Sequence, residues 1–567
     1  MLVIAGAGSG KTRVITQRIA HLIRQNVPPY SIMGLTFTNK AASEMKERIT
    51  QLAGTSGVFI STFHSMGARF LRVDGEHIGI PSNFSIYDAD DQRSLVKAAL
   101  KERNLDVTHF RPPAVASEIS RLKNENITPD EAATSPHYFQ RVVASVYSLY
   151  QERLRSSHAL DFDDLLLEMY RLFRECDDVL ARYRDRFRFI LIDEYQDTNK
   201  VQYELARLLA GDTMNICATG DPDQSIYSWR GANIRNILEF ERDFPNAKVI
   251  KLEQNYRSTG NILKAADKVI ENNLYRKERR LWTEAGDGEL ITLYSAKSEE
   301  DEAEFAIRSI IELQRRGRRY SEIAVFYRTN AVSRAFERAL SLHNIPYMLV
   351  GGVEFYERRE VKDLMAYLKL LDNPMDSVAF FRVVNTPPRK IGQRTLDNVQ
   401  SIAGREFCSP LEALRLICGN SLMPARQTSA LARFSELFEA LSAYPKESVE
   451  SLLRQVIEKT GYLEYIRTFD NAGAAERIDN IDELIYAVGE YDRSNPGGSL
   501  HGFLEETALI RGLDSVGDSE DKLVLMTLHT AKGLEYNVVF LAGLEDGLLP
   551  HMFSMDKDEA LEEERRL

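Results

Sequence analysis

The sequence predicts an α/β fold of two parallel-sheet lobes, each interrupted by a helical insertion. Short apolar runs rich in β-formers recur, and each ends in polar or small residues: "SIMGLTFTNK", "GVFISTFHS", "FRFILIDEYQDT", "MNICATGDPDQS" and "AKVIKLEQNYRS". Continuous apolar strands separated by helical segments belong to a parallel sheet covered on both faces, whose ligands bind beyond the carboxyl ends of the strands. A long, mostly helical stretch lies between "STFHS" and "FILIDE". It includes "RPPAVASEISRLKNENITPDE", which carries basic positions and no strand-like run. After Arg257 a second α/β pattern begins with "LITLYSA", "EIAVFYRTN" and "IPYMLVGG", without a second phosphate-binding loop, and a helical stretch from about residue 356 to 519 interrupts it in turn. The acidic "RGLDSVGDSEDK" at residues 511 to 522 reads as a link out of that stretch, and "KLVLMTLHTAKGLEYNVVFLAG" restores the sheet pattern.

Size and composition agree with this plan. A chain of 567 residues at about 150 residues per domain predicts three to four domains. No apolar run approaches the ~18 to 20 residues needed to cross a bilayer, so no membrane association is expected. The N-terminus lacks the basic-then-apolar pattern of a secretory signal. Cys176, Cys217, Cys408 and Cys418 form no metal-like spacing, which predicts reduced, structural thiols in a cytoplasm. A net charge of −12 argues against a non-specific polyanion binder, although a local basic groove survives any overall sign.

The first element, "IAGAGSGKT" at residues 4 to 12, departs from GxxxxGK[ST] only by Ala5 in the first position. Gly6, Gly8 and Gly10, with Ala7 and Ser9 between them, allow backbone N–H groups to turn inward around phosphate oxygens. Lys11 can reach the outer phosphates, and Thr12 can offer a hydroxyl to Mg²⁺ at a helix N-terminus. The following "RVITQRIAHLI" has helical apolar spacing. The strand end "ILIDE" supplies Asp193 to hold Mg²⁺ and Glu194 to orient or activate a water. Gln224 in "GDPDQSIYSWRGA" is then a candidate water or γ-phosphate sensor, and Arg257 in "QNYRS" a candidate charge stabiliser. A turn residue and a surface ion pair are the ordinary alternatives for these two.

Nine segments in order resemble superfamily one helicases of the UvrD, Rep and PcrA type. They are "AGAGSGKT", "LTFTNKAASEMKERI", "ISTFHSMGARFLR", "LDFDDLL", "LIDEYQDTN", "TGDPDQSIYSWRGA", "LEQNYRSTGNIL", "AVFYRTNAVSRAFE" and "MTLHTAKGLEYNVVFLAGLEDGLLPH". The resemblance implies an ATP-driven motor that moves 3′ to 5′ on single-stranded DNA and separates duplexes, in repair or replication. It also implies RecA-like motor domains at residues 1–85 with 186–257 and at 258–355 with 520–567, and helical inserted domains at 86–185 and 356–519. Gly533 and Glu535 of "KGLE" would then face the nucleotide, with Tyr256 stacking near the base beside Arg13.

For the DNA track, Phe37, Phe63, Phe162, Tyr227 and Trp229 lie in or beside polar motifs, and aromatic platforms are worth roughly 1 to 3 kcal/mol per stacked base. Core packing claims most aromatics, and "DFDD" is also a good helix start. Base stacking is favoured for Trp229, flanked by Ser228, Arg230 and Gly231. The matching motifs make His64, Arg328, Asn330 and His529 phosphate or sugar contacts. In the second insertion "NTPPRKIGQRTL" resembles a hairpin gripping duplex phosphate at a single/double-strand junction, with Arg389, Lys390 and Gly392 as candidates.

Against the family pattern, the upstream glutamine that reads adenine is not in this sequence, and "EEERRL" at residues 562 to 567 matches only the start of the last motif. The expectation is a motor cut at both ends that binds DNA but hydrolyses ATP poorly. Three readings stay open: a DNA helicase, a nucleotide-gated DNA-binding protein, and the motor part of a helicase-nuclease.

Overall fold

The computed structural model describes residues 1–350, 355–419, 425–445, 448–469, 474–509 and 521–567. The chain divides into two compact units. One comprises Met1–Phe63, Leu180–Gly352 and Arg511–Leu567; the other, His64–Val179 and Val353–Ile510. In chain order the strands are β1 (Leu2–Ala5), β2 (Ile32–Thr36), β3 (Phe59–Thr62), β4 (Ser85–Tyr87), β5 (Ala159–Asp161), β6 (Phe189–Ile192), β7 (Ile216–Gly220), β8 (Val249–Leu252), β9 (Ile323–Tyr327), β10 (Tyr347–Leu349), β11 (Leu523–Thr527) and β12 (Val538–Ala542).

The first unit holds two all-parallel sheets. In the larger, of order β3-β2-β6-β7-β1-β8, five strands are ones that the apolar runs predict, and the sixth, β1, precedes the glycine loop. β1 is only four residues long, yet it lies between two neighbours, with Val3 opposite Thr219 on one side and Ile250 on the other. Leu2, Val3, Ile4 and Ala5 are all buried, so a short strand suffices when both edges are paired. The helix Lys11–Arg24 after the glycine loop buries Ile15, Ile19 and Ala20, positions spaced to one face. Because the strands are parallel and chain order reverses beside β1, the tips of β1, β6, β7 and β8 open on one side of the sheet.

The smaller sheet has the order β10-β11-β9-β12. Val325 and Leu525 pack with Ile307 and Ile310 of the helix Glu299–Arg315 and with Phe336 and Leu340 of the helix Ser333–Leu342. One expectation fails here. "LITLYSA" at residues 290 to 296 forms no strand, and Leu290, Ile291 and Leu293 are 85, 61 and 88 % exposed. A strand needs a ladder partner, and among the described residues this segment has none. Residues 511–520 of the expected acidic link lie outside the described residues.

Among its described residues the second unit is helical apart from β4 and β5, a parallel pair that the apolar runs do not predict. Leu95, Val96, Ile119 and Tyr147 form one of its cores, and Leu364, Phe380, Phe434, Leu453 and Ile481 another. Inside it Lys123 is fully buried, 2.6 Å from Asp161 and 2.8 Å from Asp164. Asp161 also caps the helix Phe162–Glu175 and accepts from the Tyr150 hydroxyl at 2.7 Å. Removing one partner of a buried ion cluster leaves uncompensated charge and costs about 3–5 kcal/mol. Lys123→Met is therefore expected to lower the stability of this unit by about that much in urea unfolding. A loss under about 1 kcal/mol would mean that hydrogen bonds alone hold the aspartates.

Candidate functional site

The loop leaving β1 has left-handed backbone at Gly8 (φ 64°) and Gly10 (φ 91°), and Ser9 Oγ donates to the Gly6 carbonyl at 2.8 Å. Its outer wall is the tip of β8. Asn255 Nδ2 donates to the Ala7 carbonyl at 2.7 Å, Tyr256 N donates to the Gly8 carbonyl at 2.9 Å, and Asn255 Oδ1 accepts from the backbone N–H groups of Arg257 and Ser258. A Cβ on Gly8 would lie 2.6 Å from the Cβ of Arg257, so only glycine fits this clamp.

Two more strand tips, those of β6 and β7, converge on Lys11. Its ammonium donates to Glu194 Oε2 and to Gln224 Oε1, each at 2.9 Å, and its side chain is 10 % exposed. Thr12 Oγ1 donates to Asp193 Oδ2 at 3.0 Å, while the other Asp193 oxygen accepts from Thr219 Oγ1 at 2.7 Å and from Glu194 N at 3.0 Å. Glu194 has φ 51°, a left-handed geometry uncommon outside glycine. Burial pushes the Glu194 carboxyl up, but Lys11 and Lys532 outweigh it and hold the group below the usual carboxylate range.

This donor set fits a nucleoside polyphosphate: inward-turned glycine backbone, a helix N-terminus and a nearly buried ammonium all favour anionic oxygen. It also fits Mg²⁺, which the adjacent Thr12 hydroxyl and Asp193 carboxylate would hold. Among the described residues no group of three or more His, Cys, Asp or Glu could hold a metal, so the remaining ligands would come from phosphate and water.

The smaller sheet of the same unit reaches this site. Lys532 Nζ donates to the Gln224 carbonyl at 2.7 Å and pairs with Asp197, and Arg257 Nε donates to Glu535 Oε1 at 2.7 Å. Gly533, between Lys532 and Glu535, is left-handed at φ 89°. Just beyond Gln224, the turn around Tyr227 carries an aromatic cluster. Tyr227 Oη donates to the His529 carbonyl at 3.2 Å, the Trp229 ring stands edge-on to His529 at 6.0 Å, and the Arg230 guanidinium lies 4.4 Å over Trp229. Trp229 is 62 % exposed.

Family comparisons place this arrangement among known proteins. The UvrD/REP helicase N-terminal domain matches residues 1–245, and the UvrD-like helicase C-terminal domain matches residues 250–567. The chain belongs to the UvrD/REP helicase family. It is 43 % identical to the ATP-dependent DNA helicase PcrA of Staphylococcus aureus strain Mu50 over 579 residues, an alignment spanning 100 % of this chain and 79 % of that protein. PcrA of Staphylococcus epidermidis is 42 % identical over 575 residues, with the same coverage.

Within this helicase-family chain the other sequence candidates are placed unevenly. Tyr256 is 72 % exposed and Arg13 is exposed near the loop, and Phe37 is half-buried. Phe63, expected to offer a face to a base, is instead 1 % exposed and packs 6.0 Å from Phe37, because it starts a helix directly under β3. Arg328 is held by Glu564 at 2.9 Å, and Asn330 is exposed just after β9. In the second unit His64 stands edge-on to Phe162 at 5.7 Å. Arg389 is a correction. Its guanidinium donates to the Val383 carbonyl at 2.7 Å and to Tyr367 Oη at 2.6 Å and lies 5.1 Å over Phe434, so it braces the turn rather than facing a phosphate. Lys390 and Gly392 are exposed, Gly392 at the cap of the helix Gln393–Glu406.

Several site residues escape sequence reasoning: Thr219, Gln196, Asp197, Asn255, Lys532 and the glutamates Glu563 and Glu564. All lie inside the quoted segments or "EEERRL", but nothing in their spacing says which carboxylate meets which cation. Glu563, for example, accepts from Ser228 N at 3.0 Å, 335 positions away.

Burial, aided by Arg328, Arg230 and Lys532, pushes the His529 imidazole down to about 4. Its neutral form is thus the folded form. As pH falls from about 6.5 towards 4, the unfolded chain takes up a proton that the folded chain refuses, so stability is lost across that window. His529→Gln is expected to flatten the stability profile between those limits, measured by thermal unfolding against pH. Identical slopes in parent and variant would show an ordinary histidine.

Proposed function

We propose that this chain is an ATP-dependent DNA helicase that moves 3′ to 5′ along single-stranded DNA and opens duplexes at single/double-strand junctions, in repair or replication. The observation that carries this reading is the continuous run from Gln224, which touches Lys11, to Tyr227 and Trp229, which form the open aromatic cluster. One short turn thereby joins the phosphate-facing cation to a base-sized platform. The relatives' names, ATP-dependent DNA helicase PcrA, support it. In this reading residues 1–85 with 186–257 and 258–355 with 520–567 are the motor domains, and 86–185 and 356–519 the helical ones.

Gly6 to Gly10, Lys11, Thr12 and Arg13 bind the nucleotide with Tyr256, Gly533 and Glu535. Thr12 and Asp193 hold Mg²⁺. Glu194, kept ionised, takes the proton of the attacking water. Gln224 and Arg257 respond to the terminal phosphate. Charge on that phosphate competes with Glu194 and Gln224 for Lys11 and with Glu535 for Arg257, and closure on ATP and opening after hydrolysis become relative motion of the two sheets. Trp229, Tyr227, Phe37, Phe162 and His64 line the DNA track, with His529, Arg230, Arg328 and Asn330 on sugar and phosphate. Lys390 and Gly392 meet duplex phosphate.

Lys11→Ala is expected to weaken Mg-ATP binding about 10- to 100-fold, the loss of charge-assisted hydrogen bonds worth about 1.5–3 kcal/mol, whereas Glu194→Gln should bind ATP normally and lose about 10²- to 10⁴-fold in turnover. Calorimetry and DNA-stimulated phosphate release separate the two, and equal ATP affinity in Lys11→Ala and parent would defeat the site. For the track, a duplex with a 3′ single-stranded tail should be opened and one with a 5′ tail should not. Trp229→Ala should cost about 1–3 kcal/mol in affinity for single strands without changing its salt dependence. Preference for the 5′ tail would reverse the assigned direction.

A further inference from the structure

A buried charge cluster behind the Gln224 turn is left out of these roles. Arg279 is 8 % exposed, and its Nη2 lies 2.8 Å from Asp221 Oδ2 and 3.2 Å from Asp223 Oδ2. Its Nε reaches the same Asp223 oxygen at 3.3 Å, as does Arg276. The Asp221 side chain is fully buried and accepts from Asp223 N at 3.0 Å. Its Oδ2, the oxygen that meets Arg279, also accepts from Gln224 Nε2. On the opposite side Arg279 Nη1 presses on the glycine loop, where a Cβ at Gly6 would come within 2.4 Å.

The chemistry of these partners fixes one orientation of the Gln224 amide. Asp221 Oδ2 accepts from the amide and the Lys11 ammonium donates to it. The amide must therefore point Nε2 at Asp221 and Oε1 at Lys11, as the 2.9 Å contact to Lys11 has it. An Asp221 side chain turned away would remove that choice. The buried cation that holds Asp221 in place is Arg279, 2.8 Å from its Oδ2 and 55 positions beyond Gln224 in the sequence, outside the nine quoted segments.

We propose that Arg279 is a positioning residue for Gln224, acting through Asp221 and seated against Gly6, an inference that rests on the nucleotide-site reading above. Through it the glycine loop and the sensor turn share one brace. Loss of Arg279 frees the amide to rotate, and the response to a terminal phosphate fails before nucleotide binding as such does.

The test is a double-mutant cycle of Arg279→Met and Gln224→Ala in the full chain, read as the affinities for ADP and for a non-hydrolysable ATP analogue and as DNA-stimulated turnover. In Arg279→Met, ADP affinity should stay within about twofold, while analogue affinity and turnover fall about tenfold or more. In the Gln224→Ala background the same change should cost almost nothing further, because the group being positioned is gone. Arg279→Lys, which keeps the charge and loses the fork, should recover part of the loss, and it carries the same cycle should the Met variant not fold. Losses that multiply in the double variant, or ADP and analogue weakened alike, assign Arg279 a purely structural part and overturn the proposal. A parent that binds no nucleotide overturns the site reading and this role together. A parent that prefers the analogue, with Arg279→Met preferring it equally, overturns this role alone.

Discussion

Lys11 stands where separate strand ends meet, with Glu194 and Gln224 each 2.9 Å from its ammonium. A charge so nearly buried is tolerated only when paired and hydrogen-bonded. The tips of β6 and β7 must therefore arrive within hydrogen-bond reach of the loop that leaves β1. Sheet order supplies this, since β7 is the direct neighbour of β1 and β6 the next strand. The residues that complete the contact accept unusual backbone: Glu194 sits in the left-handed region, and Gly8 and Gly10 do so at no steric cost. Four short parallel strands thus suffice to make a site, provided each ends at the correct residue.

The smaller sheet has no phosphate loop, yet it touches the same cluster through Lys532. That lysine bonds to the Gln224 carbonyl and pairs with Asp197, whose neighbour Gln196 donates to Glu194 Oε2 at 2.6 Å. A shift of the second sheet is thus felt at the Gln224 backbone and, through two side chains, at Glu194. From the same turn Tyr227 bonds to the carbonyl of His529, in the short helix after β11. The site and the aromatic cluster share a turn, so neither can move without the other.

The frame is legible in the sequence because its signals are local. Apolar runs predict nine of the strands, and the glycine loop marks both the end of β1 and the start of the helix Lys11–Arg24. The segment at residues 290 to 296 misleads, since apolar content alone does not provide a ladder partner. Strands β4 and β5 escape because each is three residues long and lies outside every quoted apolar run, beside helical sequence. At the site, Lys11, Thr12, Asp193, Glu194 and Gln224 are all legible, because each ends a strand or a loop of recognisable type. The partners that orient them are not. Arg279 and Lys532 meet their carboxylates only through tertiary structure. Arg389 illustrates the converse, a basic residue in a promising turn whose guanidinium donates to a carbonyl and a hydroxyl that two helices supply.

Cation partnering also bears on how a chain of net charge −12 can hold polyanions. Arg257 and Arg328, both expected at phosphates, are engaged with Glu535 and Glu564. The two pairs are not equivalent. Arg257 and Glu535 are 37 and 62 % exposed, and an ion pair so open to solvent is worth at most about 1 kcal/mol. A phosphate with more charge can displace Glu535 at little cost and lose the contact again once that charge leaves. Glu564 is 5 % exposed and also accepts from Ser554 Oγ and from His551 N, so Arg328 is held far more firmly. A residue that must change partners in every cycle belongs in the first kind of pair, and a residue that must keep a sheet edge in register belongs in the second. In the proposed cycle Arg257 would therefore exchange its partner, whereas Arg328 would meet sugar or phosphate with Glu564 still bound to it.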